Sequence, residues 1–321
     1  MHPLSRTWSH PRRRFVALLL TVLFLYLLVT QAVPFQHSLS SIRYANFTDI
    51  WFAIITVLLT FPLAAATYHL LSRRQLIFRR TVLVAIANMF TNRLLPAGTG
   101  SIATFFVYLR KRKHTFSQAT SVVAVNNLLG FLSHTALLLV LSIFAKKSFH
   151  GFTIPHLSDQ VIAVAVVAVT GICITVLLIP KWRQSIQLVT MNLKHDLKYY
   201  RHKQVRLAAA FITSMLLTIT NAICLWFCVQ AVGGRLGLVA ALAVFTVGLI
   251  VGTVTPTPGG LGGTEAGLFA ALISYHVTSP AAVTAVILYR LISYWLTLGC
   301  GVIAYVYVER RGYLHRFEPL T

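Results

Sequence analysis

Long apolar segments separated by clusters of basic residues constrain this chain more than any other feature. Eight can be marked off: 15–33, 50–71, 81–109, 119–145, 161–180, 207–230, 236–276 and 281–308. A hydrocarbon core about 30 Å thick takes about 20 helical residues, and six of the eight segments fit a single crossing. The other two are interrupted. Segment 81–109 contains Leu95-Pro96-Ala97-Gly98-Thr99-Gly100-Ser101, and segment 236–276 contains Thr255-Pro256-Thr257-Pro258-Gly259-Gly260-Leu261-Gly262-Gly263-Thr264. Proline removes a donor and clashes with the preceding turn, and each glycine costs a helix about 1 kcal/mol, so neither stretch continues a helix.

Composition excludes a water-soluble globule: 57% of residues are hydrophobic and 11% charged, where a soluble chain carries about a quarter charged residues. The 28 Lys and Arg against 6 Asp and Glu do not indicate a nucleic-acid partner, because they punctuate apolar runs instead of forming one continuous face. Cys173, Cys224, Cys228 and Cys300 all lie inside apolar runs and show neither a disulfide framework nor a zinc pattern. No metal or cofactor is expected. Segment 15–33 follows Arg12-Arg13-Arg14, and its length favours a signal anchor over a cleaved leader.

Charge placement sets the expected topology. Basic residues cluster before residue 15, at Arg73 to Arg80, at Arg110 to Lys113, over 181–206 and after Val308. The positive-inside rule wants all of these cytoplasmic. That holds only if segment 81–109 enters and leaves on the same side. Its halves, 81–95 and 101–109, are about 22 and 14 Å long, too short to span separately. Non-helical backbone at that depth must be covered by protein or line a water-filled cavity. The second break lies at a corresponding place, so each half reads span, span, broken segment, span. The expected fold is therefore an all-α polytopic membrane protein of two inverted-topology halves, with about six full spans and two broken re-entrant segments. Residues 1–14 form a basic cytoplasmic tail, 15–145 the first half with its break at 95–101, 161–308 the second half with its break at 255–264, and 309–321 a cytoplasmic tail. Charge alone leaves open whether 236–276 is re-entrant or crosses twice.

Paired breaks of this kind are the best sequence pointer to a transporter site. A helix starting inside the membrane presents unpaired N–H groups to an anion such as phosphate, and glycines let that backbone come close. The candidate contacts are Pro258, Gly259, Gly260, Gly262, Gly263 and Thr264 at the second break, and Asn92, Arg93, Pro96, Gly98 and Gly100 at the first. Glu265 is the acidic residue clearly inside a membrane segment, where a carboxylate costs roughly 2.5–3.5 kcal/mol and needs a partner or a task. Arg290, deep in the last segment, is the expected partner; either the two fix helices together or they meet the charges of a lipid head group. Over 181–206, Trp182, Ile186, Val189, Leu193, Leu197 and Tyr200 recur at spacings of four and three, with Lys194, Lys198 and Arg201 on the polar face. That is an amphipathic helix suited to the cytoplasmic leaflet and its anionic lipids.

Thr257-Pro258-Gly259-Gly260-Leu261-Gly262-Gly263-Thr264-Glu265, followed by Tyr289-Arg290-Leu291-Ile292-Ser293-Tyr294-Trp295, resembles the signature of the lysylphosphatidylglycerol synthase transmembrane (flippase-like) family. Asn88 to Gly100 resembles that family's first motif. The chain departs from the pattern in having no arginine between Ser101 and Leu109. The resemblance implies a multi-pass inner-membrane protein, with both termini cytoplasmic, that moves a phospholipid such as aminoacyl-phosphatidylglycerol, or a polyprenyl-linked lipid, between leaflets. Some relatives carry a soluble aminoacyl-transferase domain; only Arg310 to Thr321 follow the last segment here, so that catalytic function is not expected. The rival expectations are a membrane-embedded lipid-modifying enzyme, an accessory subunit of a lipid synthase or glycosyltransferase, and an ion or small-solute channel. No acid/base or nucleophile constellation stands out for the first of these.

Overall fold

The computed structural model describes residues 45–95, 99–144, 200, 203–255 and 257–314. The segments at 15–33 and 161–180 lie outside this range, as do Trp182, Lys194, Lys198, Arg201, Pro96 and Gly98. Among the described residues every regular element is helical: α1 (Phe47–Leu71), α2 (Phe78–Leu94), α3 (Thr99–Lys111), α4 (Phe116–Phe144), α5 (Gln204–Ala231), α6 (Leu238–Val254), α7 (Gly263–Ser274) and α8 (Ser279–Arg310). A short 3₁₀ turn, Pro258–Gly260, precedes α7, and α8 contains a π-helical turn over Leu291–Leu296.

Several helices start before their apolar runs because polar caps begin them. The Asn46 side chain accepts from the Thr48 N–H at 3.0 Å and opens α1. Thr115 and Gln118 cap α4 reciprocally at 3.1 and 3.2 Å. Pro280 sits in the first turn of α8, where its missing N–H costs nothing.

The central pair is α1 and α5, which run antiparallel: the Asn46 N–H donates to the Ala231 carbonyl at 2.8 Å near one end, and Thr67 and Thr213 hydroxyls meet at 2.9 Å near the other. Helix α2 packs on the second half of α8 so closely that a Cβ on Gly301 would lie 2.7 Å from the Phe90 nitrogen. α1, α5 and α8 are long and apolar enough to cross a membrane, and α6 and α7 are shorter apolar helices. Outward-facing residues are themselves large and apolar, with Trp51 63% and Ile303 74% exposed. Such a surface is stable against lipid and not against water.

Among the described residues, the basic clusters at Arg73 to Arg80, at Arg110 to Lys113 and after Val308 gather at one end. Ser72 follows α1, and its hydroxyl meets His114 Nε2, between α3 and α4, at 2.9 Å. There too the Tyr200 hydroxyl donates to the Leu71 carbonyl at 2.6 Å, and Arg80 and Arg112 both lie over the Tyr313 ring. His114 is buried, and its Nδ1 donates to the Leu109 carbonyl at 3.0 Å. Burial holds its pKa below the usual histidine value, and the charges of Arg74 and Arg73 push the same way. The folded protein thus resists a proton that the unfolded chain accepts near pH 6.5. Stability is expected to fall as pH drops below about 6.5 and to level off below the folded-state pKa. Unfolding in detergent between pH 7.5 and 5, compared with His114→Gln, should show the substitution flattening that fall; parallel curves for the two proteins would refute the assignment.

Candidate functional site

Two helical hairpins and the middle of α8 build the site. In the first hairpin, α2 and α3 run antiparallel, pinned by Thr81 Oγ1 to the Tyr108 hydroxyl at 3.0 Å, Asn88 Nδ2 donating to Ser101 Oγ at 3.2 Å, and Thr91 to Thr104 at 2.7 Å. The Thr81–Tyr108 contact brings the two ends of segment 81–109 to the same end of the molecule. At its tip, Gly100 lies against the backbone of Thr91 and Asn92; any Cβ there would collide with the Thr91 carbonyl. Asn92 and Arg93 stand on the last turn of α2.

Glycines on both arms close the second hairpin. Gly248 and Gly252 of α6 face Leu268 and Thr264, while Gly263 and Gly267 of α7 face Thr255 and Val251. Four-residue spacing of small residues on both helices lets their backbones approach. Gly263 therefore serves packing, and the left-handed positions are Gly259, Gly260 and Gly262, with φ of 64°, 65° and 85°. Glu265 reaches back from the first turn of α7, its Oε2 accepting from the Gly262 N–H at 2.9 Å. A carboxylate at this position also suits the partial positive charge of the helix start.

The other carboxylate oxygen of Glu265 accepts from Arg290 Nε at 2.7 Å. Arg290 closes the regular part of α8, just before the π turn. That turn carries Ser293 and Tyr294. The Ser293 carbonyl accepts from Thr297 Oγ1 at 2.7 Å and from the Arg93 guanidinium at 2.9 Å, so the tip of the first hairpin is tied to α8. The Tyr294 ring lies under both cations, 4.5 Å from Arg93 Cζ and 4.9 Å from Arg290 Cζ. A ring's negative face attracts each guanidinium and so offsets part of their mutual repulsion. Gly259 completes the convergence: a Cβ there would lie 2.5 Å from the Tyr294 ring and 3.2 Å from Arg93 Cδ.

A cavity of about 540 Å³ opens at this meeting point. Its polar wall includes Asn92 and Arg93 from α2, His134 from α4, Thr218 and Asn221 from α5, and Arg290 from α8. The family model for the lysylphosphatidylglycerol synthase TM region matches residues 14–301 of the chain. The chain belongs to this family. No curated protein matches it.

In this member of the lysylphosphatidylglycerol synthase TM-region family, Asn92, Arg93, Gly259, Gly260, Thr264 and Arg290 line the cavity. Glu265 sits behind the wall, on Arg290. Gly263 and Gly100 face neighbouring helix backbone or side chains, Gly262 has open space where a Cβ would be, and nothing is described of the Pro258 side chain. His134, Thr218 and Asn221 were not among the expected contacts. The signal that could have found Asn221 and His134 is a strongly polar residue in the middle of an apolar span. His134 Nδ1 donates to the Gly130 carbonyl and its Nε2 meets the Thr218 hydroxyl, so its ring is held on both nitrogens while it stands on the wall. His276, with φ of 58°, ends α7 in a left-handed conformation.

Proposed function

We propose that this protein moves a phospholipid or polyprenyl-linked lipid between the leaflets of the cytoplasmic membrane, its head group passing through the cavity between the hairpin tips. The observation that carries the reading is the convergence of two interrupted helices on one polar cavity holding two arginines. A head-group phosphate there meets guanidinium donors and glycine backbone, while the acyl chains remain in the bilayer.

Two inverted halves, with six crossings and two re-entrant hairpins, supply the motion, one half rocking against the other. Matched elements support this. Helices α1, α2, α3 and α4 have 25, 17, 13 and 29 residues; α5, α6, α7 and α8 have 28, 17, 12 and 32. The linkers agree too: residues 72–77 correspond to 232–237 in length, and 112–115 to 275–278. Both termini and the basic end face the cytoplasm, where anionic lipids are attracted to Arg80, Arg112 and the segment around 181–206. A lipid synthase or glycosyltransferase is the natural supplier of the substrate.

Purified protein in liposomes should accelerate leaflet-to-leaflet transfer of a labelled anionic lipid at least about tenfold over protein-free liposomes, a barrier lowered by about 1.4 kcal/mol. Equal rates for every anionic, cationic and polyprenyl lipid would sink the proposal.

A further inference from the structure

The charges around the cavity are unequally committed. Glu265 has both oxygens occupied, one by Arg290 at 2.7 Å and one by the Gly262 N–H at 2.9 Å. Arg290 in turn has its Nε on that carboxylate, so the pair is electrically closed. Arg93 is not. Among the described residues it has no carboxylate partner; one N–H goes to the Ser293 carbonyl, its plane lies over Tyr294, and its buried Nε has no hydrogen-bond acceptor. A guanidinium has five N–H donors and binds phosphate bidentately. Beside it, Asn92 Oδ1 is a second buried polar atom without a partner. Among the described residues no Asp or Glu lines the cavity wall.

Among the described residues, the cavity therefore presents one uncompensated positive charge and no uncompensated negative one. We infer that it selects an amphiphile whose head group carries a single negative phosphodiester charge and no cation, with Arg93 as its counter-charge, and disfavours the aminoacylated, positively charged form of the same lipid. This rests on reading the cavity as a lipid site and adds its charge preference. The reason is desolvation: an ammonium group brought to this wall meets Arg93 and Arg290 and finds no free carboxylate, whereas a phosphodiester meets donors that already lack acceptors. Discrimination comes as much from that repulsion as from the attraction. Asn92 is placed to meet a hydroxyl of the head group.

The test measures binding first and transport second. Dioctanoyl phosphatidylglycerol and its lysyl ester are titrated against the detergent-solubilised full chain, with inorganic phosphate as competitor. Phosphatidylglycerol should bind about tenfold or more tightly than the lysyl ester, a difference of about 1.4 kcal/mol. Arg93→Gln should erase the preference, and Arg93→Lys should keep part of it. Because Arg93→Gln also loses the Ser293 contact, Asn221→Asp provides an independent variant: a carboxylate on the cavity wall should move the preference toward the lysyl ester with Arg93 intact. Equal or reversed affinities in the wild type overturn the inference, as does binding of neither lipid. Displacement of phosphatidylglycerol by millimolar inorganic phosphate overturns the lipid assignment, since the site would then take free phosphate. Selective binding without any transfer in liposomes would refute the translocation reading and leave the charge preference standing.

Discussion

Replacing Glu265 with alanine is expected to destabilise the protein by about 3–5 kcal/mol, which corresponds to a fall in Tm of roughly 6–20 °C. The loss has two parts. Arg290 is 7% exposed, and without the carboxylate its charge stays buried beside Arg93 with a tyrosine ring and a 3.5 Å approach to the Gly259 carbonyl as its remaining contacts. The Gly262 N–H at the start of α7 loses its acceptor as well. Breaking a buried pair from one side costs far more than removing both partners, since replacing both leaves no unpaired charge. Thermal unfolding in detergent of Glu265→Ala, Arg290→Met and the double variant should therefore show the double variant more stable than the sum of the single losses. Additive losses would mean that the pair contributes nothing as a pair. Glu265→Gln should fall between wild type and alanine, because an amide oxygen still accepts one of the two hydrogen bonds.

Gly100→Ala is the second substitution with a large expected effect. The added carbon would collide with the Thr91 carbonyl and come within 2.7 Å of the Asn92 nitrogen, both of them backbone atoms of α2. No rotamer relieves such a contact, so the first hairpin must open at its tip. Overpacking costs of about 1–3 kcal/mol are typical where side chains give way, and a backbone collision belongs at or above the upper end. The natural control is Gly299→Ala in α8, where a Cβ meets nothing within 4 Å. There the methyl group should stabilise the helix by about 0.5–1 kcal/mol. The two substitutions are chemically identical and should shift Tm in opposite directions. A common direction would refute the close approach at Gly100.

Some of this site is readable in the sequence and some is not, for physical reasons. Proline and glycine inside an apolar run admit few structures, so the interruptions at Leu95 and after Val254 stand out at once. A lone acid and a deep arginine in an apolar medium have strong reason to meet, and Glu265 and Arg290 do. Arg93 was harder to place because its partners carry no charge: a carbonyl at Ser293, 200 residues away, and an aromatic ring. The glycines divide in a way no string of letters reveals. Gly263 lets two helices touch, while Gly259 lies against Tyr294 at the cavity, and smallness serves both. The π turn in α8 is also unmarked, since Leu291 to Leu296 would suit an ordinary helix.

That turn makes chain length as important to α8 as chemistry. A π turn holds one residue more than an α turn, so its two flanking helices are out of phase by about 100°. Deleting one residue between Leu291 and Leu296 would let the turn close to a regular helix with everything beyond it still in place relative to Arg290, because the turn already absorbs one extra residue. Deleting one residue between Thr297 and Cys300 would instead turn Gly301 by about 100° off the backbone of α2, where a Cβ on it would lie 2.7 Å from the Phe90 nitrogen, and a neighbour with a side chain would take its place. Substitutions in α8 change one contact at a time, whereas a single-residue deletion or insertion beyond the π turn misaligns the far half of the helix with the hairpin it grips.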